Sequence, residues 1–411
     1  MNYFIKNIHI NKLHHLSGFD IPITSNKTPH LIITGKNGSG KTILLDAISD
    51  FLNTIRADKY LNFTNYDEEL KGFTKLYISA KTEQEKIRYD QCIKATKQKR
   101  EALFGKVDLS FTNLVEFISN YQDGNFVLSY YCARRDLSLD EPINPTKPVI
   151  KKIQNIQETS TSQFLNFLSD LKIQEALARN EHMDAEAEAI NKWFSNFEEL
   201  LQKIFQDDNL HLEFFYKDYS FKINSNNKLF KFTELSDGFG AIIDIIADLI
   251  LKMQKDDSLV SVYEKEGIVL IDEIETHLHL ELQKIIMPLL TTIFPNVQFI
   301  VTTHSPFVLS SMSNAIAYDL EHREILDDLT QYSYESLAEG YFNVRSQSNS
   351  IIMKLEKFKE LLQKASLSES EKKRLNSLRL DFEKLNSIVS PDVVGEYRQL
   401  CIKYADNLKN L

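Results

Sequence analysis

Cysteine and glycine are scarce in this chain of 411 residues, and each scarcity excludes a class of protein. Its 3 cysteines lie far apart and in no metal-ligand spacing, which argues against a disulfide-stapled scaffold and predicts reduced thiols. With 12 glycines and 9 prolines, the chain is no collagen. The 43% hydrophobic and 26% charged residues are typical of a globular protein and exclude a mainly disordered one.

Long hydrophobic runs are also missing. The most apolar stretch, residues 241–251, is interrupted by Asp244 and Asp248. No run approaches the ~18 to 20 apolar residues that a membrane span needs. The first six residues lack the apolar core of a signal peptide. We expect a soluble, cytoplasmic protein without membrane association.

The chain has no excess of positive charge. It carries 48 Lys+Arg against 58 Asp+Glu, a net charge of −10. A chain of this charge does not coat DNA as a general polycation, although a local basic groove that binds nucleic acid stays possible. The densest basic cluster, Lys94 to Arg100, is interpreted either as a solvated helix face or as a DNA contact.

The glycines that are present cluster in a phosphate-binding pattern. A short apolar strand leads into G-x-x-x-x-G-K-T, and an amphipathic helix follows. Backbone N–H groups and a helix N-terminus would surround the β-phosphate of ATP, Lys41 would neutralise phosphate oxygens, and Thr42 would offer a hydroxyl to Mg²⁺. The predicted phosphate-binding residues are Gly35, Lys36, Asn37, Gly38, Ser39, Gly40, Lys41 and Thr42.

Two carboxylates follow a second apolar strand at residues 267–271. Four apolar residues in a row are typical of a strand buried on both faces of a parallel sheet. Asp272 is predicted to hold Mg²⁺, directly or through water, and Glu273 to act as general base toward the attacking water. The alternative is a core strand that ends in an exposed acidic turn.

A helix and a third apolar strand, residues 297–303, complete a βαβ unit that ends at His304. Ligands of such sheets bind beyond the carboxyl ends of the strands. His304 is therefore predicted to reach the γ-phosphate or the attacking water, with a solvated turn residue as the alternative.

Four motifs in this order resemble the ABC-type ATPases of the SMC, RecF and OLD branch. They read GKNGSGKT, LSDG, IVLIDEIETHLH and VTTHSP, and they extend over residues 31–306. The resemblance implies an α/β P-loop ATPase head: a mostly parallel sheet, antiparallel N-terminal strands, a helical insertion and a C-terminal helical region. It also implies that Ser236 and Gly238 contact the γ-phosphate bound by an opposite subunit, in a homodimer or higher oligomer. From the residues alone, Ser236 also fits an ordinary N-cap, and the two interpretations can hold together.

Three smaller assignments rest on the same resemblance. Residues 275–279 resemble the D-loop, which contacts the partner's P-loop. The glutamine that links Mg²⁺ to the helical insertion is left open among Gln91, Gln122 and Gln154. Arg134 or Arg135 is interpreted as a nucleotide contact or as a surface pair.

The predicted domains are an ATPase head at 1–320, with a helical insertion at about 145–206, and a C-terminal helical region at 321–411. The pattern Ser368-x-x-Glu371 predicts a capping box inside a helical hairpin, and a third helix is expected after Pro391. The tail at 351–411 is interpreted either as a docking element or as a lid on the head. The chain shows no nuclease pattern after His304.

The resulting hypothesis is an ATPase whose ATP-dependent head dimerisation controls a separate nuclease or toxin effector. Stand-alone heads of this kind resemble the ATPases of antiphage systems such as Septu, PARIS and retron-linked systems. The alternative is a RecF-like repair ATPase that clamps duplex DNA. A scaffold that binds ATP without turning it over is disfavoured by the presence of Glu273.

Overall fold

A computed structural model describes most of the chain. The described residues are 3–23, 29–56, 60–135, 137–142, 155–254, 265–326, 328–342, 349–364, 366–384 and 391–405. Two compact units are present, Met1–Tyr334 and Glu335–Leu411. Gln154 and most of the proline-containing connector at 136–148 lie outside the described residues.

The described strands of the first unit form three sheets. Their bounds are β1 Ile5–Leu13, β2 Leu16–Pro22, β3 His30–Thr34, β4 Val107–Phe111, β5 Phe126–Tyr131, β6 His211–Phe215, β7 Ser220–Ser225, β8 Lys228–Lys231, β9 Glu266–Ile271, β10 Val297–Thr302, β11 Ala315–Asp319 and β12 Glu324–Leu326.

The largest sheet has the strand order β12-β11-β3-β10-β9-β5. Strands β11, β3, β10, β9 and β5 are parallel, and β12 is antiparallel to β11. Every residue of β3, β5 and β10 is buried, as expected for strands covered on both faces. Because the parallel strands end at one edge, the loops after β3, β9 and β10 meet there. The predicted α/β fold is confirmed.

Helices flank these sheets and form the second unit. Their bounds are α1 Lys41–Arg56, α2 Tyr60–Ser79, α3 Glu83–Phe104, α4 Leu114–Gln122, α5 Phe164–Asn180, α6 Asp184–Phe205, α7 Asp237–Met253, α8 Leu280–Ile293, α9 Pro306–Leu309, α10 Tyr334–Phe342, α11 Asn349–Gln363, α12 Glu369–Glu383 and α13 Pro391–Lys403. Within the described part of the chain, no helix combines the length and the apolar character that crossing a membrane requires.

The N-terminal strands form the predicted antiparallel sheet, in the order β2-β1-β4. A buried glutamine of β10 fixes this sheet to the large one. The Ile5 N–H donates to Gln298 Oε1 at 2.9 Å, and Gln298 Nε2 donates to the Ile5 carbonyl at 2.9 Å. The β1–β2 turn lies beside the glycine-rich loop, where His15 Nε2 is 3.1 Å from the Ser39 carbonyl oxygen.

Helices α2 and α3 pack as a pair and carry the basic cluster. The Arg100 guanidinium lies 3.0 Å from Asp67 and 3.4 Å from Asp108, and Lys94 pairs with Asp90 at 2.6 Å. Carboxylates of the same unit therefore neutralise part of the positive charge of this cluster.

The second unit has a core of its own. Phe358 of α11 is fully buried, and its ring centroid lies 5.6 Å from that of Phe382 and 5.4 Å from that of Tyr397. The Ser368–Glu371 capping box is present at the start of α12, as predicted. Helices α11, α12 and α13 thus bury their apolar faces against one another.

Candidate functional site

The glycine-rich loop joins β3 to α1 with backbone that only glycine adopts easily. Gly35 and Gly40 have φ angles of +136° and +99°. A Cβ atom on Gly40 would lie 2.9 Å from Leu16 Cδ1, and one on Gly35 would lie 3.3 Å from the Glu321 backbone nitrogen. A side chain at either position would meet backbone strain, and one at Gly40 would also require the Leu16 side chain to move. The sequence pattern thus corresponds to a tightly packed loop.

Lys41 places a buried positive charge inside this loop. Its side chain is buried, and Nζ donates to the carbonyls of Gly35 at 2.8 Å and of Lys36 at 3.2 Å. Burial lowers the pKa of Lys41, and the charges of Glu273, Glu275 and other nearby carboxylates oppose this effect. No carboxylate of the described residues forms an ion pair with the ammonium group, so it can receive an anion.

Asp272 connects the loop with two strands. It is 2% exposed, and its Oδ2 accepts a hydrogen bond from Thr42 Oγ1 at 2.8 Å. Its Oδ1 accepts from Thr302 Oγ1 at 2.6 Å. The Thr302 hydroxyl in turn accepts from the Glu273 N–H at 2.7 Å. One chain of hydrogen bonds therefore joins Thr42, Asp272, Thr302 and Glu273.

Sequence reasoning did not identify Thr302 as a site residue. It ends β10, a strand that is buried along its whole length. One sequence feature could have indicated its role: Thr302 carries a hydroxyl at the end of an apolar strand. A buried hydroxyl without a hydrogen-bond partner costs free energy, so a polar partner nearby is expected.

Glu273 has a strained backbone. Its φ angle is +44°, a left-handed conformation that is uncommon for a residue with a side chain. The carboxylate accepts from Thr276 Oγ1 at 3.3 Å, and the side chain is only partly buried. Such strain persists only where surrounding contacts enforce it, and it concentrates at functional sites.

Arg135 supplies contacts that enforce this turn. It is 7% exposed, and its guanidinium donates to three successive carbonyls. The oxygens belong to Asp272 at 3.2 Å, Glu273 at 3.0 Å and Ile274 at 3.4 Å. The interpretation of Arg135 as one of a surface pair is therefore wrong, because the side chain is buried against the turn.

His304 lies half-buried at the end of β10. Burial lowers the pKa of His304, the charge of Lys41 lowers it further, and Glu273 and Asp272 act in the opposite direction. The imidazole is consequently neutral near pH 7. Its backbone N–H donates to Glu275 Oε1, and Glu275 Oε2 accepts from Thr303 Oγ1 at 2.8 Å. Glu275 therefore holds the end of β10.

The LSDG segment lies at the start of α7. Ser236 occupies the N-cap position, but its side chain makes no capping hydrogen bond. Ser236 is thus the N-cap residue of α7, as one of the two interpretations predicted, but its hydroxyl does not cap the helix. A Cβ atom on Gly238 would lie 2.7 Å from the His277 carbonyl oxygen. The LSDG segment therefore packs against the turn at residues 275–279. The residues of the hydrogen-bond chain, in contrast, lie next to the glycine-rich loop.

A second flank of the loop was not anticipated from the sequence. Lys36 forms an ion pair with Glu321 at 2.8 Å, and the Leu320 N–H donates to the Thr34 carbonyl at 2.9 Å. Asp319 caps this turn by accepting from the Glu321 N–H at 2.7 Å. The β11–β12 turn thus covers one side of the loop.

The donor set suits a magnesium–nucleotide complex. The Thr42 hydroxyl and the Asp272 carboxylate supply oxygen ligands of the kind that Mg²⁺ prefers. The Ser39 hydroxyl is buried and has no hydrogen-bond partner among the described residues. A phosphate oxygen would satisfy this hydroxyl, and Lys41 would neutralise the phosphate charge.

Part of the chain that carries these residues matches a known protein family. The AAA_21 family, described as "AAA domain, putative AbiEii toxin, Type IV TA system", matches residues 112–310, which include Asp272, Glu273 and His304. The chain resembles an ABC-type ATPase. This similarity agrees with the resemblance that the ordered sequence motifs predict.

Two similar proteins align with most of this chain. The Septu protein PtuA of Bacillus mycoides (strain KBAB4) is 24% identical over 400 residues, which cover 94% of this chain and 51% of that protein. The "Retron Vc95 probable ATPase" of Vibrio cholerae serotype O1 biovar El Tor is 24% identical over 415 residues, 84% of this chain and 79% of that protein. The chain thus spans about half the length of the Septu relative.

Two further comparisons are shorter or structural. The "Retron Ec83 probable ATPase" of Escherichia coli is 40% identical over 93 residues, 22% of this chain and 17% of that protein. A solved SmcHead bound to the C-winged helix domain of ScpA aligns with 79% of this chain and 96% of its own, at 14% identity and a TM-score of 0.39.

Proposed function

We propose that this chain binds and hydrolyses ATP, and that ATP-dependent dimerisation of its first unit controls a separate nuclease or toxin effector in antiphage defence. The observation that carries this proposal is the hydrogen-bond chain from Thr42 through Asp272 and Thr302 to Glu273. It joins the glycine-rich loop to the Asp272 carboxylate and to the backbone N–H of Glu273, the residue whose carboxylate is the proposed base.

Nucleotide binding follows from the loop. Its backbone N–H groups and the N-terminus of α1 hold the phosphates, and Lys41 neutralises the β- and γ-phosphate oxygens. Thr42 and Asp272 would hold Mg²⁺, and the bound ion would polarise the phosphate oxygens. The buried position of Lys41 strengthens its attraction to an anion, because solvent screens it weakly.

Hydrolysis uses the second carboxylate. The Glu273 carboxylate accepts a proton from water as the water oxygen attacks the γ-phosphorus, and ADP leaves with the bridging oxygen. Asp272 is held by two hydroxyl donors, whereas Glu273 is partly exposed and receives one long hydrogen bond from Thr276. The neutral imidazole of His304 orients the γ-phosphate or the water.

The start of α7 supplies the surface for the proposed dimer. The Ser236 hydroxyl makes no capping bond, and the helix N-terminus presents backbone N–H groups that favour an anion. In the proposed dimer, Ser236 and Gly238 contact the γ-phosphate held by the second copy's loop. The close approach of Gly238 to the His277 carbonyl would then transmit this contact to the turn that carries Glu273.

Effector control is supported by the similarity of this chain to a Septu protein and to two retron probable ATPases. Clamping of duplex DNA is the competing function. Arg100 and Lys94, the strongest candidates for phosphate contacts, pair with carboxylates of their own unit, which favours control of a protein effector.

The variant Glu273→Gln tests the proposal. Because the amide keeps the shape but accepts no proton, we expect retained ATP affinity and turnover lowered by roughly 10²- to 10⁴-fold. We also expect an ATP-dependent dimer in light scattering. Glu281→Gln is the control, since Glu281 is an exposed residue of α8 that pairs with Lys284.

Unchanged turnover in Glu273→Gln would show that the base lies elsewhere. A variant that stays monomeric with ATP would contradict head dimerisation. Retention of duplex DNA only in the ATP-bound state would favour the clamp instead.

A further inference from the structure

The helix that follows the LSDG segment buries two carboxylates that the proposed chemistry does not use. Asp248 of α7 is fully buried and accepts from Tyr131 Oη at 2.6 Å and from the Ser160 N–H at 2.7 Å. Lys252 Nζ lies 2.8 Å from the same carboxylate. A buried charge with all these partners fixes α7 to the end of β5.

Asp244 lies one turn nearer the start of α7, and it is also buried. Burial raises the pKa of Asp244 to about 6, whereas the positive charge of Arg135 lowers it. The helix approaches the Arg135 segment closely, because a Cβ atom on Gly240 would lie 3.4 Å from the Leu137 side chain. The Asp244 carboxylate therefore favours the guanidinium charge of Arg135 from α7 by electrostatic attraction, without an ion pair between the two groups among the described residues.

Arg135 in turn holds the turn of the two site carboxylates. Its two terminal nitrogens donate to the carbonyls of Asp272, Glu273 and Ile274. Its third nitrogen, Nε, is buried and makes no hydrogen bond within the described part of the chain. The carboxylates of Glu275 and Asp244 stabilise the guanidinium charge against the effect of its burial. The planar guanidinium of an arginine can donate to several carbonyls at once, whereas the ammonium group of a lysine lacks this geometry.

We propose that Arg135 is a positioning residue for the Glu273 carboxylate, and that through Asp244 it links helix α7 to the turn that carries this carboxylate. The inference rests on the proposed function, because it takes Glu273 as the general base. Three carbonyls held by one guanidinium keep Glu273 at its φ of +44°. A phosphate that binds at Ser236 and moves the first turns of α7 would change the distance between Asp244 and the guanidinium that holds the turn.

The test compares Arg135→Lys and Glu273→Gln, alone and combined, for turnover and ATP affinity. We expect Arg135→Lys to lower kcat by about 10- to 100-fold, because small displacements of a catalytic group cost this much, while ATP affinity changes by less than about 3-fold. The double variant should hydrolyse ATP no more slowly than Glu273→Gln alone, because Arg135 acts through that carboxylate. Arg100→Lys is the control: Arg100 is a partly buried arginine that pairs with Asp67 and Asp108 instead of with the turn, and its variant should keep wild-type kcat.

Two outcomes would overturn the positioning role while leaving the proposed function intact. One is wild-type turnover in Arg135→Lys together with slow turnover in Glu273→Gln. The other is a double variant whose kcat lies below that of Glu273→Gln by the same factor by which Arg135→Lys alone lowers kcat. Wild-type turnover in Glu273→Gln would instead overturn the assigned base and this inference together.

Asp244→Asn keeps the test decisive if Arg135→Lys does not fold. This substitution preserves volume and removes the charge that α7 directs at Arg135. We expect lower kcat with retained ATP affinity, and no further loss when it is combined with Glu273→Gln. Wild-type kcat in Asp244→Asn, or a loss that multiplies with that of Glu273→Gln, would refute the link.

Discussion

Thr302 offers a sharp test of the site's architecture, since one buried hydroxyl serves two partners. It donates to Asp272 Oδ1 at 2.6 Å and accepts from the Glu273 N–H at 2.7 Å. Thr302→Val removes both hydrogen bonds with almost no change in shape. The residue is fully buried, so water does not readily replace the lost hydroxyl.

The expected loss of stability follows from these two bonds. A hydrogen bond to a charged acceptor contributes about 2 kcal/mol, and one to a neutral amide about 1 kcal/mol. Thr302→Val should therefore lower the free energy of unfolding of the first unit by about 3 kcal/mol. Thr302→Ser keeps the hydroxyl and loses one methyl group, which costs about 1 kcal/mol.

Urea unfolding followed by tryptophan fluorescence measures this difference. The chain has a single tryptophan, Trp193, which is buried in α6 of the first unit. The signal therefore reports that unit rather than the second one. ATP turnover of the two variants is measured in parallel, and we expect kcat to fall in Thr302→Val and to stay close to wild type in Thr302→Ser.

Equal stability of the valine and serine variants would refute this reasoning. It would mean that Asp272 and the Glu273 N–H find other partners at no cost, and that the hydrogen-bond chain does not hold the turn.

Three further predictions address binding, pH and the second unit. Lys41→Ala should abolish ATP binding in equilibrium titration, because it removes the buried cation of the loop, and unchanged affinity would contradict the phosphate site. Burial lowers the pKa of His30 to about 4, whereas the unfolded chain has a histidine pKa of about 6.5. The unfolded state therefore takes up a proton first as the pH falls from about 6.5 toward 4, and the free energy of unfolding should decrease by about 3 kcal/mol over this range. Urea unfolding at several pH values should show this loss, and a smaller one in His30→Asn. If the second unit docks the proposed effector, deletion of residues 335–411 should leave a soluble ATPase that has lost effector binding and the proposed protection of cells. A truncation that still protects would exclude docking, and an insoluble one would favour the lid.

Local patterns made much of the fold predictable. The apolar strands, the βαβ unit that ends at His304 and the Ser368–Glu371 capping box all depend on residues close together in the chain. Their periodicity and turn chemistry determine the local structure almost independently of the rest. The glycine spacing at 35–40 likewise predicted the loop, because few residues tolerate its backbone angles.

The sequence by itself thus determined the parallel sheet and the loops at its carboxyl edge, together with the resemblance to ABC-type ATPases. Only the tertiary structure decided which side chains connect those loops. Arg135 contacts a carbonyl 137 positions away, and Lys36 pairs with Glu321 across 285 positions. The periodicity of the sequence does not predict such contacts. They depend on the order of the strands in the sheet and on which polar side chains are buried away from water.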